Sequence, residues 1–377
     1  MKVAIIGSAG IPAKYGGFET LAHHLSLQLQ HNCDLHVYCS TKTASKEDNA
    51  SGFKNTKRHF IPLSANGKMS ILYDVISLFH ALFYADVLIV LGVSGALFFP
   101  FVKLFSNAKI ITNVDGIEWR RGKWSVIAKY FLKKFEKIAV KFSDVIVADN
   151  KAVVDYVCDT YNINAVYIPY GADHVAYYPI SNELKRIYPW LNKTYAVKVC
   201  RIEPENNVEM ILKTFVDYSQ LNLVLIGNWD NSEYAISLRN KYANYPNIFL
   251  IDAIYDEKIL NAIRANALMY IHGHSAGGTN PSLIEAMMLS LPVFSFDVSF
   301  NRYTTDGNAI YFKNEEELFT LLNTITVKEL KRVAIDLTMV AQKNFIWKNV
   351  TNEYFSLCEK SFKNIIVSLN KLETYEK

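Results

Sequence analysis

Residues 2–20 read KVAIIGSAGIPAKYGGFET, a short apolar run followed by a glycine-rich loop and the start of a helical pattern. The Val and Ile residues of Lys2–Ile6 predict a strand that is buried on both faces. Apolar residues recur at helical spacing in Phe18–Gln30, which predicts a helix directly after the loop. A buried strand joined through glycines to a helix is the building unit of parallel α/β domains. The segment therefore predicts the start of such a domain.

The alternation of strand and helix continues along the chain and begins again after residue 170. In the first part, the further predicted strands are Leu35–Cys39, Val87–Leu91, Lys109–Thr112, Val145–Ala148 and Val166–Ile168, and the further predicted helices are Met69–Phe83, Lys123–Phe142 and Ala152–Asp159. In the second part, the predicted strands are Tyr195–Val199, Leu223–Ile226, Ile248–Leu250, Leu268–Ile271 and Val293–Phe296, and the predicted helices are Val208–Tyr218, Glu233–Ala243, Glu257–Asn266 and Ser282–Leu289. The pattern predicts two α/β domains, at 1–170 and 171–346. The remaining segment, 347–377, predicts a long helix and tail that can return to the first domain.

Bulk properties agree with two domains and exclude several classes of protein. The chain has 377 residues, which is too long for one ordinary core. Its formal net charge of +4 indicates no particular class of partner. We expect that no nucleic acid binds. Five scattered cysteines predict neither a disulfide framework nor a zinc site. The longest uncharged apolar run, Val87 to Val102, is shorter than the roughly 20 residues of a membrane span, so we expect a cytoplasmic protein.

The first glycine loop, Gly7 to Gly17, lacks the motifs of two common nucleotide-binding loops. No Gly-Lys-Ser/Thr closes it as in a P-loop, and it is not a dinucleotide-binding GxGxxG. Gly16 and Gly17 directly precede a helix, whose N-terminal N–H groups and dipole favour an anion such as a diphosphate. A glycine-rich connector without a ligand explains the same residues, and the sequence leaves both interpretations open.

A second glycine loop, His272 to Pro281, follows a predicted strand and opens a predicted helix that carries Glu285. Glycine pairs expose backbone N–H groups to polar ligands, and the Glu285 carboxylate can accept hydrogen bonds from two ribose hydroxyls. From spacing alone, a solvated helix glutamate is the more common case. His272 and His274 suggest a metal site only weakly, because no carboxylate cluster accompanies them.

Arg201 ends the first predicted strand of the second domain, in the segment Arg201–Asn207. Because ligands bind at the carboxyl ends of parallel strands, this arginine is placed to hold phosphate oxygens with its planar, forked guanidinium group. A surface salt bridge with Glu203 or Glu205 is the competing interpretation.

These segments together resemble the family-4 retaining glycosyltransferases, enzymes with the GT-B fold. The resemblance is carried by the Gly16-Gly17 loop, Ile168–Asp173, Arg201–Glu205, Glu285–Met287 and Leu291–Val293, in family order over the whole chain. A closer resemblance is to a bacterial subgroup that includes rhamnosyltransferases of capsule and O-antigen synthesis. It rests on Gly10–Thr20, Asp115–Trp119, Arg201–Asn207 and Gly277–Ser282. The resemblance implies two Rossmann-like domains facing across a cleft that holds the active site.

The resemblance also implies roles for individual residues. Arg201 would bind the donor diphosphate and Glu285 the ribose, while Asp115 lies where the family usually has a cleft-facing His-Asp pair. The catalytic candidates are Asp115 and Arg201, and the donor-binding candidates are Gly16, Gly17, Arg201, Asn206, His274, Gly277, Gly278, Thr279, Asn280 and Glu285. Replacing Arg201 or Glu285 by alanine is expected to cost about 1–3 kcal/mol or more of donor binding, with little effect on folding. We expect no cofactor and no metal.

Two departures from the family pattern concern the donor. The family usually has Lys five residues after the arginine, where this chain has Asn206, and Glu eight residues before Glu285, where it has Gly277. The subgroup is similar at both positions, so we interpret them as a change of donor. The resemblance then favours transfer of L-rhamnose from dTDP-L-rhamnose, with retention, onto a lipid-linked saccharide. A sugar-nucleotide epimerase on the same fold, or a catalytically weak sugar-nucleotide-binding partner protein, are the alternatives.

Residues 119–141 predict contact with an anionic membrane surface on the inner face of the cell membrane. The basic residues of this stretch are Arg120, Arg121, Lys123, Lys129, Lys133, Lys134, Lys137 and Lys141, with Glu136 as the one acid, and the aromatic residues are Trp119, Trp124, Tyr130, Phe131 and Phe135. Interleaved basic and aromatic residues are typical of helices that lie against anionic headgroups. Alternatively, the aromatic residues pack on the first sheet and the lysines form an ordinary solvated face. Reversing the charge of Lys129, Lys133, Lys134 and Lys137 is expected to abolish liposome binding.

Overall fold

The computed structural model describes residues 1–14, 16–44, 51–122 and 125–375. The chain forms two compact units. One comprises Met1–Trp119, Trp124–Pro169 and Lys348–Lys377, and the other comprises Arg120–Lys123 and Tyr170–Trp347.

The first unit contains a parallel sheet of seven strands. In chain order they are β1 (Lys2–Ile6), β2 (Asp34–Ser40), β3 (Thr56–Ile61), β4 (Val87–Leu91), β5 (Lys109–Asn113), β6 (Val145–Ala148) and β7 (Val166–Tyr167). In the sheet their order is β3-β2-β1-β4-β5-β6-β7. The first six strands follow the order of the classic doubly wound fold, which reverses direction between β1 and β4.

Helices connect these strands, and a last helix returns from the end of the chain. They are α1 (Gly17–Leu29), α2 (Ser70–Ala81), α3 (Phe99–Phe105), α4 (Val126–Phe142), α5 (Lys151–Tyr161) and, at the C-terminus, α14 (Trp347–Tyr375). Tyr354 and Cys358 of α14 are fully buried, and the Tyr354 hydroxyl accepts a hydrogen bond of 2.9 Å from Asn113 Nδ2 at the end of β5. The helix predicted after residue 347 therefore belongs to the first unit.

The second unit repeats the arrangement with six parallel strands. They are β8 (Tyr195–Val199), β9 (Asn222–Gly227), β10 (Ile248–Asp252), β11 (Met269–His272), β12 (Val293–Phe296) and β13 (Ile310–Phe312). Their order in the sheet is β10-β9-β8-β11-β12-β13, so the direction of winding reverses between β8 and β11. The helices are α6 (Asn182–Ile187), α7 (Val208–Asp217), α8 (Glu233–Tyr242), α9 (Glu257–Ala265), α10 (Pro281–Met288), α11 (Ser299–Thr304), α12 (Glu315–Thr324) and α13 (Val327–Asn344).

The structure confirms the predicted fold class of two Rossmann-like domains and adds strands and helices that the sequence pattern did not indicate. Both added strands, β3 and β13, lie at sheet edges, where a strand needs no continuous apolar run. The helix predicted from Lys123 begins at Val126, where the Ser125 hydroxyl accepts a hydrogen bond from the Ala128 N–H and caps it. Lys123 itself lies outside the described residues. Among the helices of the described residues, none is long and apolar enough to cross a membrane.

Asp74 on α2 is a buried carboxyl, and ionising it in the folded state is unfavourable. It is 3% exposed, and its Oδ1 has no hydrogen-bond partner among the described residues. Burial raises the pKa of Asp74 well above its usual value. The carboxyl therefore stays protonated in the folded state over a pH range where it ionises in the unfolded state, and this difference favours unfolding as pH rises above about 4.

We expect Asp74→Asn to raise the free energy of unfolding by about 1–3 kcal/mol at pH 8, because the amide cannot ionise. Near pH 3.5 the gain should largely disappear, since aspartate is then protonated in both states. Urea denaturation at the two pH values measures both effects, with Asp159→Asn at an exposed position as the matched control. An equal gain at both pH values would show that ionisation of Asp74 is not the cause.

Candidate functional site

The loops that follow β8 and β11 lie side by side at the carboxyl edge of the second sheet. The two strands are neighbours, with Met269 paired to Ala196 and Tyr270 to Val197. The direction of winding reverses between these strands, and α/β proteins bind their ligands beyond the strand ends at such a point. This edge carries eight of the ten predicted donor-binding residues.

Hydrogen bonds join the two loops directly. The Ser275 N–H and hydroxyl both donate to the Glu205 carbonyl oxygen, at 2.8 and 2.9 Å. From the other side, Asn207 Nδ2 donates to the Gly273 carbonyl oxygen at 2.8 Å. Four residues thus hold the backbone of both loops in one arrangement, as a preorganised binding site requires.

Arg201 leaves the end of β8 with a largely accessible side chain. Its guanidinium group is 3.8 Å from the Glu203 carboxylate, and the side chain is 45% exposed. A pair at this distance and exposure is weak. The surface salt bridge considered above therefore exists, but it leaves the guanidinium group able to bind a phosphate.

Asn206 stands where the resembled family has its lysine, and here it performs a structural role. Its Nδ2 donates to the Arg201 carbonyl oxygen at 2.7 Å, and the residue is 3% exposed. The side chain closes the turn that presents Arg201 and then leads into α7. Burial and the neighbouring Glu203 carboxylate raise the pKa of Glu205 in the same turn.

The buried His272 and the partly buried His274 form a stacked pair at the start of the second loop. Their ring centroids are 4.4 Å apart with an angle of 11° between the planes. Burial lowers the pKa of His274 well below its usual value, and the neighbouring His272, Lys198 and Arg201 lower it further. The two rings are therefore neutral near pH 7. No cluster of three or more His, Cys, Asp and Glu side chains suited to a metal occurs in the described part of the chain.

Gly277 has φ of +128°, a conformation that side chains rarely adopt. Within the described part of the chain, no atom outside Gly277 and its chain neighbours lies within 4 Å of the position that its Cβ would take, so the space beside this Cα is open. Beyond Gly278 and the buried Thr279, Asn280 caps α10 by accepting hydrogen bonds from the Ser282 N–H and hydroxyl at 3.1 and 2.7 Å. The loop therefore ends at a well-formed helix N-terminus, which favours a negatively charged ligand.

Glu285, with a side chain 15% exposed, forms an ion pair with Arg264 and is not a solvated helix glutamate. The Arg264 guanidinium group binds Oε2, and His174 Nε2 lies 3.3 Å from Oε1. Burial by itself raises the pKa of this carboxyl, but the charge of Arg264 and the His174 hydrogen bond outweigh burial and hold the pKa at about 2. Glu285→Ala would leave Arg264, with a side chain 4% exposed, without its counter-charge. In place of the sequence-based expectation that folding is little changed, we therefore predict that this variant is destabilised.

A chain of hydrogen bonds fixes the proton on His174. The Trp347 indole N–H donates to His174 Nδ1 at 3.1 Å. An indole nitrogen is only a donor, so Nδ1 is the acceptor and the ring proton lies on Nε2, facing Glu285. Neither Arg264 nor His174 was predicted, because both are brought to Glu285 only by the tertiary fold. Each oxygen of Glu285 still has a lone pair for a further hydroxyl donor.

In the first unit, a carboxylate lies in the Gly7–Gly17 loop, for which the sequence leaves an anion site and a ligand-free connector both open. Glu19 Oε1 accepts a hydrogen bond of 2.8 Å from the Ala9 N–H, and its Oε2 is 2.0 Å from the position that a Cβ on Gly16 would take. Gly16 precedes α1, which begins at Gly17, so Glu19 occupies the first turn of this helix. A carboxylate there competes with a diphosphate, which favours a neutral ligand at Gly16 and Gly17. Tyr15 lies outside the described residues.

Asp115 follows β5 in the left-handed region, with φ of +60°. Its N–H donates to Asn113 Oδ1 at 2.9 Å, which stabilises this turn. Aspartate tolerates the conformation better than most residues, yet strained backbone of this kind often occurs at functional sites. The catalytic role of Asp115 stays a prediction.

Only some of the residues in the stretch 119–141 are exposed to solvent. Phe135 is buried and does not belong to the predicted membrane contact, and the Trp119 indole N–H donates to the Tyr156 hydroxyl at 3.1 Å. Glu136 is also buried, where its Oε1 accepts hydrogen bonds of 2.6 Å from two tyrosine hydroxyls. The single acid of the stretch is therefore withdrawn from solvent, whereas four lysines of α4 are exposed. Lys123 and Trp124 lie outside the described residues, and Arg120 and Arg121 group with the second unit.

Two family models match the chain, and each covers one of its parts. Residues 1–173 match a domain of unknown function (DUF1972), and residues 181–326 match the glycosyl transferases group 1. No curated protein matches the sequence. The second match covers both loops of the candidate site.

Solved structures share the fold over nearly the whole chain. Sucrose-phosphate synthase from Thermosynechococcus elongatus is similar with a TM-score of 0.77 and 13% identity, over 96% of this chain and 99% of that one. A glycosyltransferase from Rickettsia africae is similar with a TM-score of 0.71 and 12% identity, over 96% and 98%. Anabaena HepE in complex with UDP-glucose is similar with a TM-score of 0.72 and 13% identity, over 96% and 100%. The fold is therefore GT-B, and together with the group 1 match it supports a glycosyltransferase.

Proposed function

We propose that this chain, a glycosyltransferase of the GT-B type, takes a sugar from a nucleotide-sugar donor bound by the loops after β8 and β11. The observation that carries the proposal is the joined pair of loops at the switch point of the second sheet, with Arg201 accessible at one and the N-terminus of α10 at the other. An arginine fork and a helix N-terminus are two groups that proteins use to hold a diphosphate. Solved structures with the same fold hold UDP-glucose or UDP-2-fluoro-glucose, which supports this donor class.

In the proposed complex, Arg201 binds the diphosphate and the backbone of Gly277–Asn280 holds the transferred sugar. Asn206 keeps the Arg201 turn closed, and His274 borders the same loop. Glu285 binds the ribose through the lone pairs that Arg264 and His174 leave unused. A metal is not needed, because Arg201 and the helix N-terminus can stabilise the leaving diphosphate.

Transfer with retention follows from attack on the same face from which the diphosphate leaves. The bond between the anomeric carbon and the phosphate oxygen breaks, and its electrons stay on the nucleoside diphosphate. The acceptor hydroxyl oxygen forms the new bond to that carbon, while a phosphate oxygen takes the hydroxyl proton. Arg201 stabilises the charge that grows on the diphosphate, and the proposal places Asp115 on the acceptor side.

We expect dTDP-L-rhamnose to be the preferred donor. The support is the subgroup resemblance and the open space at Gly277, where the family has a carboxylate that binds the sugar. A 6-deoxy sugar has one hydroxyl fewer to satisfy, so the loss of a hydrogen-bonding carboxylate costs it less. Thermal-shift stabilisation with a panel of nucleotide sugars, followed by transfer assays, measures the preference. Robust transfer from UDP-glucose with none from dTDP-L-rhamnose would contradict it.

We also propose that the acceptor is a lipid-linked saccharide of surface polysaccharide synthesis and that the first unit lies on an anionic membrane. Thirteen large apolar side chains on or beside α2, α3 and α4 are 40 to 84% exposed. They are Met69, Leu72, Ile76, Phe79, Phe83, Leu97, Phe101, Leu104, Phe105, Val126, Ile127, Tyr130 and Phe131. We call this set the apolar face. Exposed apolar groups in such number are typical of membrane or protein contacts.

The apolar face is continuous across the helices and bordered by positive charge. Ring contacts connect Phe79 to Phe83 and Phe98, and Phe98 to Phe101, while α3 and α4 are neighbours. The C-terminal part of α4 carries four exposed lysines, which are Lys133, Lys134, Lys137 and Lys141. Apolar groups beside lysines fit an anionic bilayer, because the first can enter the acyl boundary while the second bind headgroups.

A further inference from the structure

Lys198 is a fully buried lysine in the middle of β8, three residues before Arg201. Its exposure is 0%, and Nζ has no hydrogen-bond partner among the described residues. Leaving an ammonium group buried without a counter-charge costs several kcal/mol, so such lysines are rare and deprotonate more easily. Burial lowers the pKa of Lys198 accordingly.

The position of Nζ places it between the two loops of the donor site. It lies 3.1 Å from the point that a Cβ on Gly273 would occupy, and the Asn206 carbonyl oxygen lies 2.4 Å from the same point. A side chain at Gly273 would therefore displace the ammonium group or the Asn206 turn. The glycine leaves room for Nζ at the junction of both loops.

Positive groups converge at this junction. Lys198 and Arg201 both lower the pKa of the partly buried His274, as expected for two cations close to its ring. The ion pair between Arg201 and Glu203 is long at 3.8 Å. Although Glu203 and Glu205 belong to the same turn, Arg201 and Lys198 can therefore still attract a negative ligand.

We infer that Lys198 is a positioning residue for the donor diphosphate, supplying from inside the sheet the positive charge that the resembled family carries at the place of Asn206. The inference rests on the proposed function, since it needs a nucleoside diphosphate at this site. In the free protein the amine is held without a counter-charge. When the diphosphate binds above the two loops, it stabilises the ammonium form, and Lys198 strengthens the field that Arg201 and the N-terminus of α10 already direct at the phosphates.

The test is Lys198→Met, measured by calorimetry with dTDP and, separately, with thymidine. We expect dTDP affinity to fall by about tenfold or more, as for one lost charge interaction, and thymidine affinity to stay unchanged. The melting temperature should stay the same or rise, because an unpaired buried amine has been removed. Lys241→Met is the matched control, since it removes the same charge from an exposed lysine on α8 that pairs with Glu209.

Restoring the charge at the family position makes the test specific. Asn206→Lys by itself also removes the hydrogen bond to the Arg201 carbonyl oxygen, so the comparison is a double-mutant cycle. In the Asn206→Lys background we expect Lys198→Met to cost much less dTDP affinity than in the wild type, which a merely structural role of Lys198 would not produce. If Lys198→Met does not fold, Lys198→Gln gives the same comparison with a polar side chain. Unchanged dTDP affinity in the folded variant would overturn the inference alone. A wild type that binds neither dTDP nor any other nucleoside diphosphate would overturn the proposed function and the inference with it.

Discussion

Glu285→Ala is expected to lower the free energy of unfolding by about 3–5 kcal/mol, because it leaves the Arg264 guanidinium group buried without its partner. The Arg264 side chain is 4% exposed and its other hydrogen bond, from NH2 to Asn261 Oδ1, is 3.0 Å long. One amide oxygen cannot replace a carboxylate as counter-charge. Denaturant unfolding monitored by tryptophan fluorescence measures the loss.

The pH dependence of the free energy of unfolding shows whether Glu285 stabilises the fold through its charge or through packing. Because the folded-state pKa of Glu285 is about 2, below the ordinary value of 4.5, the ionised carboxylate stabilises the fold at pH values above about 4.5 and loses this effect as pH falls towards 2. The difference in stability between the wild type and Glu285→Gln should therefore be full at pH 7 and shrink below pH 4.5. A difference that is the same at pH 7 and pH 3.5 would contradict the ion pair.

Arg201→Ala provides the contrast on the neighbouring loop. Its side chain is 45% exposed and only weakly paired, so the variant should keep its stability and lose about 1–3 kcal/mol of donor binding. Glu285→Ala should lose both. An Arg201→Ala protein with unaltered donor affinity would refute its assignment to the diphosphate.

Reversing the four exposed lysines of α4 is expected to weaken binding to anionic liposomes by about a thousandfold or more. The variant replaces Lys133, Lys134, Lys137 and Lys141 by glutamate, and each basic residue near an anionic surface contributes about 1 kcal/mol. The wild type should bind vesicles of phosphatidylglycerol and phosphatidylcholine in a salt-sensitive manner. Transfer to a lipid-linked acceptor should fall in the variant, while transfer to a short water-soluble acceptor should persist.

The matched control reverses four exposed lysines of the second unit, Lys313, Lys328, Lys331 and Lys343, and so changes the net charge equally. We expect this control to bind vesicles like the wild type. A second variant, Phe105→Ser/Ile127→Ser, tests the apolar face. It should weaken vesicle binding at low and at high salt alike, because it removes apolar contacts and no charge. No binding of the wild type to anionic vesicles at low salt would refute the membrane proposal.

The fold was predictable where strands are buried on both faces. The central strands β1, β4, β8 and β12 were predicted with the bounds that the structure shows, because burial on both faces produces a short, mostly apolar run. The edge strand β3 reads TKRHFI and is only partly buried, so its pattern resembles a loop. Pairing along β2 forms it, which no local signal reveals.

The candidate site was predictable in its backbone and not in its side-chain partners. Arg201 and Gly277–Asn280 follow strands, and strand ends can be located from the sequence. One partner of Glu285, Arg264, lies 21 residues earlier in the chain, and the other, His174, lies much further before it. Only the folded structure brings them together. Lys198 did leave a signal, a lysine within the apolar strand Tyr195–Val199, and its importance follows only from the burial and position of Nζ.

The most direct test of the proposed function is the release of dTDP from dTDP-L-rhamnose by the wild type, with and without lipid-linked saccharides extracted from bacterial membranes. A glycosyltransferase that uses the loops after β8 and β11 should release dTDP only when the acceptor is present and should form a rhamnosylated lipid product. Arg201→Ala should reduce both in parallel. Conversion of the donor to another nucleotide sugar without acceptor, or binding of donor with no turnover on any acceptor fraction, would contradict the account.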